Sequence, residues 1–180
     1  MAELKPFTPA KLIVSIIASK ETYSARAEED LRGLFGAIDL RSPLFPFDLT
    51  TYYEKQMGRN LKRIFLSFVE LVSPETLSGL KIQTNSLEQK IKQESGESFR
   101  VVNIDPGILT ASALIMATAK DFAHRVPLAG GIYAHLEYLF TKTGVKFLEW
   151  TYPDMRQDGC RRFFLDVRGL YLGQLKNRAG

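Results

Sequence analysis

Leu12-Ile13-Val14-Ser15-Ile16-Ile17-Ala18 is a nearly unbroken apolar run rich in β-branched residues. Successive side chains of a strand point to opposite faces, so a run without polar alternation is apolar on both. Such a strand is stable only when it is covered above and below. Whatever this chain folds into must therefore place a doubly covered strand near its N-terminus.

The rest of the chain supplies layers to cover it. Residues 24–35 read as a helix, with Glu28, Glu29 and Asp30 near its start, an apolar stripe of Ala27, Leu31, Leu34 and Phe35, and Gly36 as its stop. Ile64 to Val69 is a second buried-strand candidate. Ser73-Pro74 opens a long helix with Leu77, Leu80, Leu87 and Ile91 on one face and Gly96 after it. Arg100 to Ile104 gives a third strand.

Further on, Ile132, Ala134, Leu136, Tyr138 and Phe140 alternate with Tyr133, His135, Glu137 and Leu139, the period of a half-exposed antiparallel strand with His135 on its wet face. Thr141 to Gly144 makes a hairpin loop and Val145 to Trp150 returns. Ser112 to Ala119 fits a helix by its alanines and a strand by its length. The strand is preferred because His124 to Leu128 can pair back on it, with Pro127 requiring an edge or a bulge. Asp158 starts a last helix whose Phe164, Val167, Tyr171 and Leu175 face the core.

The expected fold is α+β: a single domain over 11–178 behind a tail of 1–10, built on a mixed β-sheet. Its N-terminal half runs strand-helix-strand-helix-strand, and its C-terminal half is an antiparallel meander closed by the final helix. Between them, Arg41 to Gly58 is a long connection. Thr51-x-x-Glu54 matches a capping box and predicts a short helix ending at Gly58, with Phe45, Phe47, Tyr52 and Tyr53 filling a core edge.

Composition narrows the class. The 180 residues are 45% hydrophobic and 24% charged, inside the globular range. The longest apolar stretch is too short to span a bilayer, and Met1 to Pro9 has no signal-peptide core, so a cytoplasmic protein without a membrane partner is expected. The single Cys160 agrees with a reducing compartment. A net charge of +4 allows an anionic partner, nucleic acid among them, but is modest for a dedicated nucleic-acid binder. The basic clusters Arg59, Lys62, Arg63 and Arg161, Arg162, Lys176, Arg178 read as solvated faces.

Chemistry-bearing residues gather between Arg100 and Arg156. Asp105-Pro106-Gly107 follows a strand, either as a type II turn or as a carboxylate at a strand end suited to a divalent cation such as magnesium or to general-base work. Lys120-Asp121 with His124-Arg125 sets a base, an acid, an imidazole and a guanidinium in one turn. They can hold a phosphate or carboxylate, or form an exposed polar turn. Gly130-Gly131 before Tyr133 is a hairpin turn or a place where a ligand approaches the backbone. Trp150-Thr151-Tyr152-Pro153-Asp154 is an aromatic wall with a carboxylate or a connector that plugs the core edge, and Arg156 follows it.

Taken together and in this order, several motifs resemble an uncharacterised prokaryotic family, the domain of unknown function 4416. They are Phe45-Pro46-Phe47-Asp48, Tyr52-Tyr53, Met57-Gly58, Asp105-Pro106-Gly107, Lys120-Asp121 with His124-Arg125, Gly131-Ile132-Tyr133-Ala134 and Trp150-Thr151-Tyr152-Pro153-Asp154. The resemblance spans about Lys11 to Leu175 and implies no established activity. Some members carry the label GTP-binding protein, but this chain lacks the Gly-x-x-x-x-Gly-Lys-Ser/Thr loop, and no tight magnesium-GTP complex of that type is expected. It differs from the family at His135, where an acidic residue is more usual, and at Met155, where an aromatic is. His135 is therefore expected to be a surface imidazole that tolerates replacement by Glu.

The reading that follows is a small-ligand protein acting on or binding an anionic, phosphorylated or nucleotide-like compound. Asp105, Asp121 and His124 are the candidates for chemistry, with Asp105 the candidate metal ligand. Lys120, Arg125, Tyr133, Trp150, Asp154 and Arg156 are the candidates for holding the ligand. A non-catalytic RNA- or protein-binding module is the alternative. Asp105 and the Lys120–Arg125 turn both follow apolar strands and are expected at one end of the sheet.

Overall fold

A computed structural model of the chain describes residues 3–49 and 53–179. Its centre is the apolar run. Strand β1 (Ala10–Ala18) is buried at every position. Its even residues Leu12, Val14, Ile16 and Ala18 share a core with Ala27 and Leu31 of helix α1 (Glu21–Phe35) and with Leu80, Leu87 and Ile91 of helix α3 (Leu77–Ser95). On the opposite face, Ile13 packs with Phe164, Val167 and Tyr171 of helix α4 (Asp158–Ala179). The molecule is thus helix, sheet and helix in three layers, as the unalternated run requires. Lys11, fully buried in β1, ties the layers by pairing with Asp39 and donating to Gln174 of α4 at 2.9 Å.

The α+β expectation holds, and the sheet is realised in an antiparallel form. The strands are β2 (Ile38–Arg41), β3 (Phe45–Pro46), β4 (Lys62–Val72), β5 (Val102–Leu109), β6 (Ala113–Thr118), β7 (Val126–Pro127), β8 (Tyr133–Phe140) and β9 (Val145–Phe147). Their order is β2-β4-β1-β5-β6-β8-β7, with β3 on β4 and β9 on β8. All described pairings are antiparallel, including those of β1 with β4 and with β5. The connection from β4 to β5 through α3 crosses over β1.

Residues 113–118 are a strand, as preferred. Residues 126–127 pair with β8 rather than with β6, making Pro127 part of an edge strand where its missing N–H is harmless. Inside the long connection the short helix α2 (Glu54–Met57) ends at Gly58, and Phe45 and Phe47 are buried. Thr51, the head of the predicted capping box, and Tyr52 lie outside the described residues. Among the described residues, no helix is long and apolar enough to cross a membrane.

Asp105-Pro106-Gly107 is not a turn. The strand continues through it to Leu109, with Ser15 opposite Asp105, Val14 opposite Pro106 and Ile13 opposite Gly107. What Pro106 ends is the other ladder. β5 pairs with β6 only from Gly107 onward, while Ala117 and Thr118 of β6 pair with β8 alone. Gly107 is required by close approach rather than by backbone conformation, because a Cβ there would stand 2.8 Å from the Ile115 carbonyl oxygen. Gly107→Ala should therefore cost about 1–3 kcal/mol, the range for overpacking. A lowered urea midpoint with unchanged slope would report it, and an unchanged midpoint would contradict the tight β5–β6 crossing.

Candidate functional site

In an antiparallel strand the N–H and C=O of one residue face the same neighbour, and alternate residues face opposite ones. The Ile104 amide donates to Glu88 at 2.7 Å and its carbonyl accepts from Lys81 at 2.8 Å. Arg100 Nε donates to the Val102 carbonyl at 3.0 Å. The even residues of β5 therefore face away from β1, and the N–H that Pro106 lacks falls on that same edge. Side chains, two of them from α3, replace β6 as hydrogen-bond partners where the sheet has split. Buried backbone groups must be paired, so the split demands such residues.

The split is a pocket. A cavity of about 120 Å³ lies between β5 and β6, lined among others by Ser15, Arg63, Lys81, Arg100, Asp105 and Lys120. Ser15, Arg63 and Asp105 share the α4-side face of the sheet, since Ser15 pairs with Asp105 and Ile17 with Arg63. Lys81, 3% exposed, reaches Asp105 at 2.6 Å and Glu88 at 3.7 Å. Arg100 pairs with the other Glu88 oxygen. Arg63, expected on a solvated face, is 5% exposed, pairs with Asp154 at 2.7 Å and lies over the Phe47 ring.

These carboxyls respond differently to one environment. Burial alone would raise Asp105, but the Lys81 charge, hydrogen bonds from Lys81 and Asn103, and the Arg100 charge hold it below its ordinary value. Glu88 goes the other way: burial, reinforced by Asp105, outweighs Lys81, Arg100 and the Ile104 amide and raises it. Asp154 is likewise raised by burial against the opposing Arg63 charge. Asp105 thus favours folding above the ordinary aspartate value, and this contribution is lost as pH falls through its depressed folded value. The raised Glu88 and Asp154 penalise folding at neutral pH, and the penalty is relieved as pH falls through their folded values.

One wall of the pocket comes from β8, and here the expected wet face is wrong. His135 is 1% exposed and Glu137 is fully buried. Ile115 pairs with Leu136 while Leu114 pairs with Tyr138, so Glu137 is the extra residue of a β-bulge that breaks the alternation. The segment after β9 covers this face. Tyr152 stacks on His135 with centroids 5.1 Å apart, and its amide donates to Glu137 at 3.2 Å. Arg125 Nε donates to His135 Nδ1 at 3.1 Å, and an arginine only donates, so Nδ1 accepts and the ring proton sits on Nε2. Nε2 stands 3.0 Å from Glu137 Oε1 without hydrogen-bond alignment, and neither atom has another hydrogen-bond partner among the described residues. His135 is thus a buried pocket residue, not a surface imidazole.

The other expected residues divide. Asp105 and Lys120 both line the pocket, and Lys120 Nζ donates to the Tyr53 hydroxyl at 3.3 Å. His124 stands one residue back, its Nε2 3.4 Å from His135 Nδ1 and its ring stacked on Trp150 at 4.8 Å. Burial, with the neighbouring His135 and Arg125, lowers its pKa. Arg125 binds His135, the Lys120 carbonyl at 2.8 Å and the Tyr152 hydroxyl at 3.0 Å, which fixes the turn carrying Lys120. Asp154 lies behind Arg63.

Four candidates stand apart from the pocket. Tyr133 is a half-buried strand residue opposite Thr118 and Pro127. Trp150 donates to the Leu136 carbonyl at 2.7 Å. Arg156 donates to the carbonyls of Thr151, Leu148 and Glu149 and so caps its own loop. Asp121 is exposed and forms no ion pair among the described residues. The Lys81 ammonium stands 2.6 Å from Asp105, and among the described residues no three His, Cys, Asp or Glu side chains form a metal-holding group.

Sequence reasoning missed Ser15, Arg63, Lys81, Glu88 and Arg100. A signal existed for two of them. Lys81 and Glu88 are buried on the same α3 face as Leu77, Thr84 and Ile91, and a charge on such a stripe needs a partner inside.

The family model described as Domain of unknown function (DUF4416) matches residues 8–171, and the chain belongs to that family. Compared with curated proteins and with solved structures, it shows no significant match.

Removing one partner of a buried charge cluster leaves the others uncompensated. Lys81→Met should cost about 3–5 kcal/mol. Glu88→Gln keeps an acceptor for the Ile104 amide and should cost less, about 1–3 kcal/mol. Equilibrium unfolding of both variants tests this, and a neutral Lys81→Met would refute the bridging role.

Proposed function

We propose that the protein binds a small anionic ligand, of the phosphate or phosphate-ester kind, in the pocket between β5 and β6. The observation that carries this reading is a pair of orphaned buried donors. Ser15 Oγ and Arg63 Nε are buried without a hydrogen-bond partner among the described residues, and both residues line the pocket. Unpaired buried polar groups cost about 1–3 kcal/mol each, so two at one site call for a function. The lining is rich in cations: Arg63, Lys81, Arg100 and Lys120 reach the pocket with Asp105, while Asp154 and Glu88 pair with Arg63 and Arg100 from behind. Enclosed cations of this kind suit a small oxyanion better than a nucleic-acid strand, which is tracked by an open basic face.

In this reading Ser15, Arg63 and Lys81 hold the anion at the pocket floor. Lys120 approaches from the mouth, and Arg125 fixes the turn that carries it. Asp105 orients Lys81. His124, stacked on Trp150 and 3.4 Å from His135 Nδ1, backs the wall of the site behind His135.

Ser15→Ala separates this reading from a structural one. Removing an unsatisfied buried hydroxyl should leave stability unchanged or raise it by up to about 1 kcal/mol. The same change should weaken binding of inorganic phosphate several-fold by calorimetry. Loss of stability with unaltered phosphate binding, or no phosphate binding by the wild type, would refute the proposal.

A further inference from the structure

The charged pocket opens into a second space. A groove of about 580 Å³ lies between α3 and the turn that joins β7 to β8, and Asn85, Arg100 and Ala119 line both compartments. The first, at about 120 Å³, admits a phosphate-sized group and little more. The adjoining groove has the room for whatever that group carries. This inference rests on the anion reading above and goes on to say what the anion carries.

The groove wall identifies the chemistry. On α3, Ile82, Asn85, Ser86 and Gln89 line it at the helical spacing that puts them on one face. The Asn85 and Gln89 amides make no side-chain hydrogen bond among the described residues, so each offers a donor and an acceptor. Opposite them stand Gly130 and Gly131, with φ of +64° and +75°. A Cβ on Gly131 would meet nothing within 4 Å, so neighbouring atoms do not exclude a side chain there, and the bare backbone is exposed to the groove. Among the described residues no aromatic side chain lines this compartment, and its few apolar members cannot wrap an acyl chain. Amides and open backbone on both walls match hydroxyl groups, which donate and accept alike. A nucleobase would call for a stacking ring.

We propose that the ligand is a sugar phosphate, its phosphate in the charged pocket and its hydroxylated body between the Asn85–Gln89 face of α3 and the Gly130-Gly131 turn. The two-glycine turn, otherwise a plain hairpin corner, becomes the place where the sugar approaches the backbone.

Calorimetry of the full chain with inorganic phosphate, ribose 5-phosphate, free ribose and uridine 5′-monophosphate tests this. Ribose 5-phosphate should bind about tenfold tighter than phosphate, equivalent to about 1.4 kcal/mol. It should also bind tighter than the nucleotide, and ribose alone should bind weakly. Gln89→Ala, at an exposed position, should remove most of the gain over phosphate, whereas Gln83→Ala on a neighbouring face of α3 should remove none. Phosphate binding with no gain from the sugar, a nucleotide preferred over the sugar phosphate, or a Gln89→Ala variant that keeps the full gain would each overturn the sugar assignment while leaving the anion pocket standing. Failure of phosphate and sugar phosphate alike would overturn both.

Discussion

The contact on which the rest of the structure depends is that of Ile104 with α3. A strand inside a sheet must satisfy its backbone on both edges, and Pro106 removes one donor from the edge of β5 that faces β6. Glu88 and Lys81 take over at Ile104, accepting from its amide and donating to its carbonyl. Because those two side chains come from α3, the helix is held at the height of the split and β6 is free to leave. The pocket is therefore built into the topology: it is the space a missing stretch of ladder leaves behind.

Charge follows from that choice. A lysine and a glutamate buried at the edge of a strand need further partners, and Asp105 and Arg100 provide them. Isolated, each would carry a desolvation penalty of several kcal/mol, and together they offset one another. The opposite shifts of Asp105 and Glu88 express this balance, since Lys81, Asn103 and Arg100 together outweigh burial at Asp105, while at Glu88 burial prevails. Ser15 and Arg63 differ in kind. Asp154 and the Phe47 ring place Arg63, yet its Nε and the Ser15 Oγ are left without a hydrogen-bond partner among the described residues.

Much of the fold, though not this cluster, was readable in the sequence, for identifiable reasons. The unalternated run at 12–18 dictated a doubly covered strand, and the stripes beginning at Leu77 and Phe164 supplied the helices that cover it. Asp105 and Lys120 were expected together as ends of apolar strands; they do meet, but Asp105 lies in the middle of β5 and reaches Lys120 because β6 parts from it there. Asp105-Pro106-Gly107 misled because Pro-Gly marks a turn and a broken ladder with the same two residues. His135 misled because alternation presumes one open face. The bulge at Glu137 and the covering segment from Leu148 to Arg156 close that face, and neither leaves a periodic trace. Arg63 looked like part of a solvated basic cluster because Arg59 and Lys62 beside it do face water.

A crystal structure grown with selenate, whose anomalous signal locates an oxyanion without ambiguity, tests the central claim most directly. The expected result is an anion within hydrogen-bond distance of Ser15 Oγ and Arg63 Nε, with the Ile104 amide still donating to Glu88 and β6 still parted from β5 before Gly107. A β5–β6 ladder running unbroken past Ile104, or selenate bound elsewhere while the pocket between the two strands holds none, would contradict it.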